Sequence, residues 1–454
     1  MAGDSDGTGD RRRDARHERR LPPAGPDPPA SAHALTREAW LVAALAAAVG
    51  ALGVVGSDAL WLVPLGREIA HGHLPGSIPF ATAPTHGWHD VPAGAELVFF
   101  ALYRALGGLR GIVVAQSAAM AVGFGALAAG LRRNAALPVA AVVLAGSIPA
   151  VAVAGVQLFS VALFSLLLLL LESASRSIWL AVPLFALWGN LHGGVLVGLG
   201  LLACYAVLHR PRALPVLAVS VLAVFANPAL WSTPRYYAHV FGTVVAREGK
   251  GMWGPLGASG FDIALVVAAI VLLAAIARRP DVRVWEAVAL LGLAAATVHA
   301  ARTGTFFLFV AAYPAARALR PRPLRSSVVT SAAIVLTVLA VALLVVGPTD
   351  PGSSRLAAEA ARGQRTVLAE PILGQQVVLA GGRVWIDNPV DAFREPDQRL
   401  YVDWLYGSSD AAVAHAALVL VAPASKAGRR AARDPRLTRI GADAHAVLYR
   451  VSRG

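Results

Sequence analysis

Cysteine is almost absent from this sequence: its 454 residues include one, Cys204, which lies within an apolar stretch. A single cysteine excludes an intrachain disulfide framework and any metal site built from several thiolates. Charged residues are also scarce, at 15% of the chain, whereas 56% of the residues are hydrophobic and the mean hydropathy is +0.60. Soluble globular proteins rarely have this balance, so the composition predicts a membrane protein.

Long runs without charge account for the high hydropathy. Residues 39–57 and 328–347 contain no charged side chain, and each matches the roughly 20 residues that a helix needs to cross a bilayer. The runs do not alternate as barrel strands would, so they predict a polytopic α-helical membrane protein. The predicted spans, about eleven in all, lie at 39–57, 93–108, 111–131, 135–154, 157–172, 178–207, 213–227, 260–277, 284–300, 303–319 and 327–347.

Basic residues give the chain a net charge of +13 and a pI near 10.8, and they cluster between the predicted spans. An excess of arginine is typical of cytoplasmic loops, so the pattern favours a membrane partner and not nucleic acid. It predicts a multi-pass protein of a bacterial plasma membrane with a cytoplasmic N-terminus and an extracytoplasmic C-terminus; only Arg132 and Arg133 disagree. The clusters are at residues 11–20, 104–110, 209–212, 278–283 and 317–325.

Composition divides the chain into three regions. Residues 1–36 are rich in Arg, Asp, Pro and Gly, which predicts a disordered basic cytoplasmic tail, and the span after it is expected to be retained. Residues 37–347 form the transmembrane domain, with 58–92 as its first external loop. Residues 348–454 predict a small extracytoplasmic α/β domain. Its strands are expected at 376–379, 383–386, 417–421 and 446–451, and its helices near 396–406 and 424–433.

Asp58 directly follows the first span, at the outer edge of the membrane. A carboxylate at this position can act as a general base toward an acceptor hydroxyl. It can equally be a helix-end residue, which position alone favours.

The loop after Asp58 contains four of the twelve histidines. His71 with His73, or His86 with His89 and Asp90, could bind a divalent metal or hold a phosphate, although neither spacing is a specific ligand signature and both also fit solvated loop side chains. Trp61 and Trp88 are interfacial aromatics or could stack on a sugar.

Polar residues also lie within or beside later spans. Asn190 and His192 interrupt the long segment 178–207, which predicts a bend there and either a functional site or an interhelical hydrogen bond. Arg302, at an external boundary, is suited to a lipid phosphate, or it snorkels to the interface. The loop around residues 235–253 is cationic and aromatic, which fits anionic lipid, carbohydrate or an interfacial helix.

Taken together, these motifs resemble bacterial polytopic membrane glycosyltransferases of the GT-C class, including the polyprenyl-phosphate-sugar-dependent type. That family begins its first external loop with Asp-Pro-Trp-His, followed by Gly-Arg, Gly-x-x-Pro, Asp-Pro-Phe-Ser and a Trp. The matching residues are Asp58, Trp61, Gly66, Arg67, Gly72, Pro75, Pro79, Phe80 and Trp88, then Asn190, His192, Gly193 and Gly194, then Asn227 and Pro228, and finally residues 382–387.

The resemblance implies inverting transfer of a sugar from a polyprenyl phosphate to an envelope acceptor on the outer face. Asp58 would be the catalytic base, while Arg67, Trp61, Trp88, Asn190, His192 and Arg302 would bind substrate. The motif departs from the family pattern because Ala59 and Leu60 precede Trp61, Leu62 replaces histidine and Ile78 replaces an acid. A non-catalytic scaffold or assembly partner is therefore the alternative, and a transporter is a third.

Overall fold

The structure is a computed structural model that describes residues 36–85, 87–131, 133–173, 176–257, 259–260, 262–320, 324–347 and 354–452. Within these ranges it leaves undescribed the side chains of Ser57, Asp58, Arg133, Arg176 and Met252. The predicted tail at residues 1–35 lies outside the described residues, as does His86.

Helices make up most of residues 36–347, and each predicted span overlaps at least one of them. The predicted bend is confirmed, because the segment 178–207 divides into two helices with residues 190–194 between them. The helices are α1 (Arg37–Ala51), α2 (Ser57–Leu60), α3 (Leu62–Ala70), α4 (Ala93–Ala105), α5 (Leu109–Gly130), α6 (Arg133–Val151), α7 (Gln157–Ser173), α8 (Ala181–Gly189), α9 (Val195–Leu208), α10 (Leu214–Val224), α11 (Thr233–Phe241), α12 (Val244–Arg247), α13 (Asp262–Arg278), α14 (Val284–His299), α15 (Gly304–Ala318) and α16 (Ser326–Val346). Two short parallel strands, β1 (Val54–Val55) and β2 (Val153–Ala154), pair beside them.

Among the described residues, three helical segments are long and apolar enough to cross a bilayer: Leu109–Gly130, Asn134–Val151 and Ser326–Val346. Only 17% of the apolar stretch in α16 is buried within the protein, although it consists largely of Val, Leu and Ala. An apolar surface of this length on a helix long enough to cross a bilayer is typical of a lipid-facing helix. The helical region is therefore that of a membrane protein.

The C-terminal region contains a five-stranded sheet flanked by helices. Its strand order is β4-β3-β5-β7-β6; β4, β3 and β5 are parallel, and β7 pairs antiparallel with β5 and β6. The elements are α17 (Arg355–Ala361), β3 (Thr366–Ala369), α18 (Pro371–Leu379), β4 (Arg383–Val384), α19 (Glu395–Tyr406), β5 (Leu418–Val421), α20 (Lys426–Ala431), β6 (Leu437–Ala442) and β7 (Val447–Val451).

The predicted secondary structure of this region is partly confirmed. Strands occur within 383–386, 417–421 and 446–451, and helices near 396–406 and 424–433. The strand predicted at 376–379 is wrong, because these residues end α18. Pro371 occupies the first turn of that helix, where its missing N–H costs nothing, and Val377 and Val378 are buried against the sheet. Strands β3 and β6 were not predicted.

The first external loop joins the sheet region in one hydrophobic core. Residues 80–83 run parallel to β4 and extend the sheet by one short segment. Val384 donates its N–H to the carbonyl of Phe80 (3.0 Å) and accepts the N–H of Thr82 (2.9 Å), while Ala83 donates to the carbonyl of Trp385 (3.1 Å). The motif at residues 382–387 therefore includes the strand that receives the loop.

Ion pairs connect the C-terminal ends of α7 and α15 to the N-terminal end of α14. Arg317 of α15 pairs with Glu286 of α14, whose carboxylate is fully buried. Arg283 binds Glu172 at the end of α7, with 2.7 Å between Nη1 and Oε1. Because loss of one partner would leave a buried charge, these pairs fix the relative positions of α7, α14 and α15.

Candidate active site

The bend between α8 and α9 places His192 in a hydrogen-bond network. The indole N–H of Trp188 donates to Oγ of Ser160 on α7 over 2.7 Å, and this Oγ lies 2.6 Å from Nδ1 of His192. The backbone N–H of Gly194 also points at Nδ1, over 3.1 Å. Ser160 and Trp188 are fully buried, whereas His192 is partly exposed. The imidazole is thus held from one side and accessible from the other.

Asn190 holds three segments of the chain together at the same bend. Its side-chain N–H groups donate to the carbonyls of Ala186 (2.9 Å) and Ala226 (2.5 Å). The backbone carbonyl of Asn190 accepts the N–H groups of Gly94 (3.0 Å) and Ala95 (3.3 Å) in the first turn of α4. The N–H of Ala95 also donates to the carbonyl of Pro92 (2.8 Å), whereas the N–H of Gly94 would otherwise lack a partner, because the first turn of a helix offers no acceptor within the helix. Asn190 therefore positions the start of α4 beside His192.

Arg302 occupies a short turn between α14 and α15. Its guanidinium lies over the ring of Trp253, with 3.7 Å from Cζ to the ring centroid, which is a cation–π arrangement. Its positive charge also acts on His192. The loop that contains Trp253 thus contributes to the same region as the α8–α9 bend.

Two buried carboxyl groups lie side by side at the start of α4. Asp90 is 1% exposed and Glu96 is fully buried, and they interact with each other without a hydrogen bond of normal geometry. Burial, opposed by the contact with Glu96 and assisted by the charge of Asp391, raises the pKa of Asp90 to about 6. Two adjacent buried carboxyls cannot both ionise easily, so the pair resists the loss of its second proton.

Asp391 and Tyr236 extend this group toward the sheet region and α11. Trp88 donates its indole N–H to Oδ2 of Asp391 over 3.3 Å. Burial raises the pKa of Asp391, against the lowering effect of that hydrogen bond. Burial also raises the pKa of the Tyr236 phenol, reinforced by the charges of Asp391, Asp90 and Glu96. We call Asp90, Glu96 and Asp391 the acidic cluster.

Tyr237 links the acidic cluster to the α8–α9 bend. It follows Tyr236 on α11, its ring packs near Gly193, and its buried hydroxyl has no hydrogen-bond partner among the described residues. A series of neighbouring residues therefore runs from His192 and Arg302 through the two tyrosines to the acidic cluster. A cationic arginine and a histidine can hold an anion, and the carboxyls can exchange a proton with a hydroxyl.

Several predicted site residues contribute little to this region in the described structure. The side chain of Arg67 is 51% exposed and lies 3.9 Å from Glu68. Trp61 and Trp88 are buried at 5% and 7% exposure, so neither presents an open face for a sugar. The backbone of Asp58 lies in α2, which packs against α18, while its side chain is outside the described structure.

The proposed metal ligands are not assembled in the described part of the chain. His86 lies outside it, His89 is exposed and Asp90 is buried. Among the described residues, no three His, Cys, Asp or Glu side chains lie close enough to hold a metal ion. The metal site remains a prediction.

Sequence reasoning did not select Ser160, Glu96 or Asp391. Of these three residues, Glu96 is the easiest to recognise as a candidate from the sequence, because it is the one acid within the apolar run 93–103. Ser160 is one of several serines on an apolar helix, and Asp391 lies about 300 residues from its partner Trp88. Only the tertiary structure distinguishes these two.

Comparison with solved structures identifies a known fold. The chain is similar to ArnT from Cupriavidus metallidurans in a crystal structure bound to undecaprenyl phosphate, with a TM-score of 0.53, 13% identity, and coverage of 91% of this chain and 97% of that chain. The apo structure of the same protein gives a TM-score of 0.50, 13% identity, and coverage of 90% and 95%. No protein-family model and no curated protein sequence matches the chain. The chain therefore has the fold of ArnT, and its predicted resemblance to polytopic glycosyltransferases of the GT-C class is confirmed for the fold.

Proposed function

We propose that the protein is a membrane glycosyltransferase that takes a sugar from a polyprenyl phosphate and transfers it to an envelope acceptor on the outer face. The observation that carries this proposal is the match, along nearly the whole chain, to the fold of a protein that was crystallised with undecaprenyl phosphate. The group formed by His192 and Arg302 supports it, because it supplies a cation and a hydrogen-bonding imidazole at a bend between apolar helices.

The proposed topology has about eleven membrane spans, a cytoplasmic N-terminus and an extracytoplasmic sheet region. Contacts between segments that the arginine pattern assigns to the outside support this orientation. The loop at 80–83 pairs with β4, and the N–H of Val244 binds Oε1 of Gln398 over 3.0 Å. Arg247 also pairs with Glu395 over 2.5 Å. The first loop therefore pairs with β4 and the segment around α12 contacts α19, as we expect if all of these segments lie on the outer face.

In the proposed reaction, the acceptor hydroxyl attacks the anomeric carbon of the donor, and the lipid phosphate leaves with the electrons of the broken bond. Arg302 would stabilise the negative charge of the departing phosphate, and Trp253 would hold the guanidinium in position. Asp58 is the proposed base that accepts the proton of the hydroxyl.

Binding of undecaprenyl phosphate by the wild type and by an Arg302 variant tests the proposal. We expect native mass spectrometry of the purified protein to detect undecaprenyl phosphate binding, and Arg302→Ala to weaken it at least tenfold. Arg355→Ala, in an exposed position at the start of α17, is the matched control and should bind as the wild type does. Absence of binding by the wild type would refute the lipid-phosphate proposal.

A second variant separates catalysis from binding. Asp58→Asn should still bind undecaprenyl phosphate but form no glycan product from sugar-loaded lipid in vesicles. The non-catalytic scaffold remains the competing function, because Ala59, Leu60 and Leu62 depart from the family motif. Binding by the wild type without any transfer, over a panel of pentose and hexose donors, would favour that scaffold.

A further inference from the structure

The network around His192 determines which of its two ring nitrogens carries the proton. An indole N–H is only a donor, so the 2.7 Å contact between Trp188 and Ser160 makes Oγ of Ser160 the acceptor. The same Oγ lies 2.6 Å from Nδ1 of His192, and the tautomer of the imidazole decides which of these two atoms is the donor. The N–H of Gly194 points at the same nitrogen over 3.1 Å. A backbone N–H can only donate, so Nδ1 must be the unprotonated nitrogen, and the hydroxyl of Ser160 is then the donor in its contact with Nδ1.

We infer that Ser160 is a positioning residue that holds His192 as the neutral Nε2-protonated tautomer, so that His192 offers an N–H donor to the phosphate of the lipid. The assignment of the phosphate as the acceptor rests on the proposed function; the tautomer does not. Within the described residues Nε2 of His192 forms no hydrogen bond, and the side chain is partly exposed. Nε2 is thus the nitrogen that remains for a ligand.

The backbone at the bend shows that the network is closely packed. A Cβ on residue 194 would lie 2.3 Å from Oγ of Ser160 and 3.0 Å from Nδ1 of His192. Gly194 therefore lets its N–H approach the imidazole while leaving space for the serine hydroxyl. Arg302 acts on His192 electrostatically, so a neutral imidazole beside the guanidinium avoids repulsion between two cations.

The tautomer can be measured directly. The full-length protein, labelled with ¹³C and ¹⁵N at histidine and reconstituted in nanodiscs, should give His192 signals of the Nε2–H form; His192→Gln assigns them among the twelve histidines. Ser160→Ala should shift the signal toward a mixture of tautomers, and Ser160→Thr should restore it. Ser165→Ala is the matched control, because Ser165 is also fully buried on α7 and its hydroxyl has no partner among the described residues.

A binding measurement with undecaprenyl phosphate completes the test. Ser160→Ala should weaken binding about threefold to tenfold, the loss expected for one hydrogen bond, and Ser165→Ala should not. An Nδ1–H tautomer in the wild-type protein, or an unchanged tautomer in folded Ser160→Ala, would overturn the inference without any lipid measurement. If the wild type shows the Nε2–H form but binds no lipid phosphate, the positioning role of Ser160 stands and the proposed function fails.

Discussion

The indole N–H of Trp88 donates a hydrogen bond to Oδ2 of Asp391 over 3.3 Å, although the two residues are 303 positions apart in the chain. The bond joins the end of the first external loop to the sheet region, and Asp90 lies two residues beyond Trp88. Trp88 was predicted to stack on a sugar or to lie at the membrane interface. Its burial and its contact with Asp391 instead support a role in holding the loop against the sheet.

Replacement of Trp88 by Phe should loosen this connection. The ring would be retained while the buried Asp391 loses its donor, at a cost of about 1–3 kcal/mol in the free energy of unfolding. Hydrogen–deuterium exchange should then become faster over residues 80–92. Trp179→Phe is the control, because Trp179 is 51% exposed and the change should leave exchange in the loop unaltered. Unchanged exchange in Trp88→Phe would contradict the role given to this bond.

The acidic cluster predicts a stability that depends on pH. The pKa of Asp90 is raised from its ordinary value of 3.8 to about 6, so between these values the folded protein binds more protons than the unfolded chain. An excess of protons in the folded state means that stability falls as pH rises through this window. The contribution of neutral Asp90 is fully present at about pH 4 and is lost by about pH 7.

Asp90→Asn removes the cost of burying a charge at this position. The variant should have a higher unfolding temperature than the wild type at about pH 8, and this difference should shrink at about pH 4. Glu359→Gln, which changes an exposed carboxylate on α17, should show no such difference between the two pH values. A constant difference for Asp90→Asn across the range would mean that Asp90 does not titrate in this window.

The packing of Gly194, which precedes α9, predicts a local effect that Gly200 on α9 does not share. Gly194→Ala places a Cβ 2.3 Å from Oγ of Ser160, whereas a Cβ at Gly200 meets no atom within 4 Å. Gly194→Ala should destabilise the protein by about 1–3 kcal/mol through overpacking. Gly200→Ala should be neutral or stabilise by up to about 1 kcal/mol because alanine is the better helix former. Thermal unfolding in detergent compares the two, and equal effects would argue against a tightly packed bend.

Long apolar runs and the bend at 190–194 could be predicted from the sequence because each depends on local composition. Apolar periodicity does not distinguish a short strand from a helix, so the strand predicted at residues 376–379 is in fact the end of α18, which begins at Pro371. The candidate site likewise contains residues that the local sequence cannot reveal. His192 and Arg302 are conspicuous as polar residues at apolar spans, but the role of Ser160 depends on a contact between residues 32 positions apart. No local pattern encodes that contact.

Gly66 connects the motif of the first loop to the acidic cluster through backbone packing. A Cβ at this position would lie 2.1 Å from the carbonyl oxygen of Glu96 on α4, so α3 and α4 can approach each other only with glycine there. Gly66→Ala should separate the two helices and displace Glu96 from Asp90. We expect a loss of stability of about 1–3 kcal/mol, since a backbone atom cannot yield as a side chain does.

Gly76→Ala is the matched control for Gly66→Ala, because it lies in the same loop and its Cβ would meet no atom within 4 Å. Thermal unfolding should show a lower midpoint for Gly66→Ala alone. Displacement of Glu96 should also strengthen the pH dependence attributed to Asp90, because the contact with Glu96 lowers the pKa of Asp90. A variant with wild-type stability and an unchanged pH dependence would show that the approach of α3 to α4 does not govern the acidic cluster.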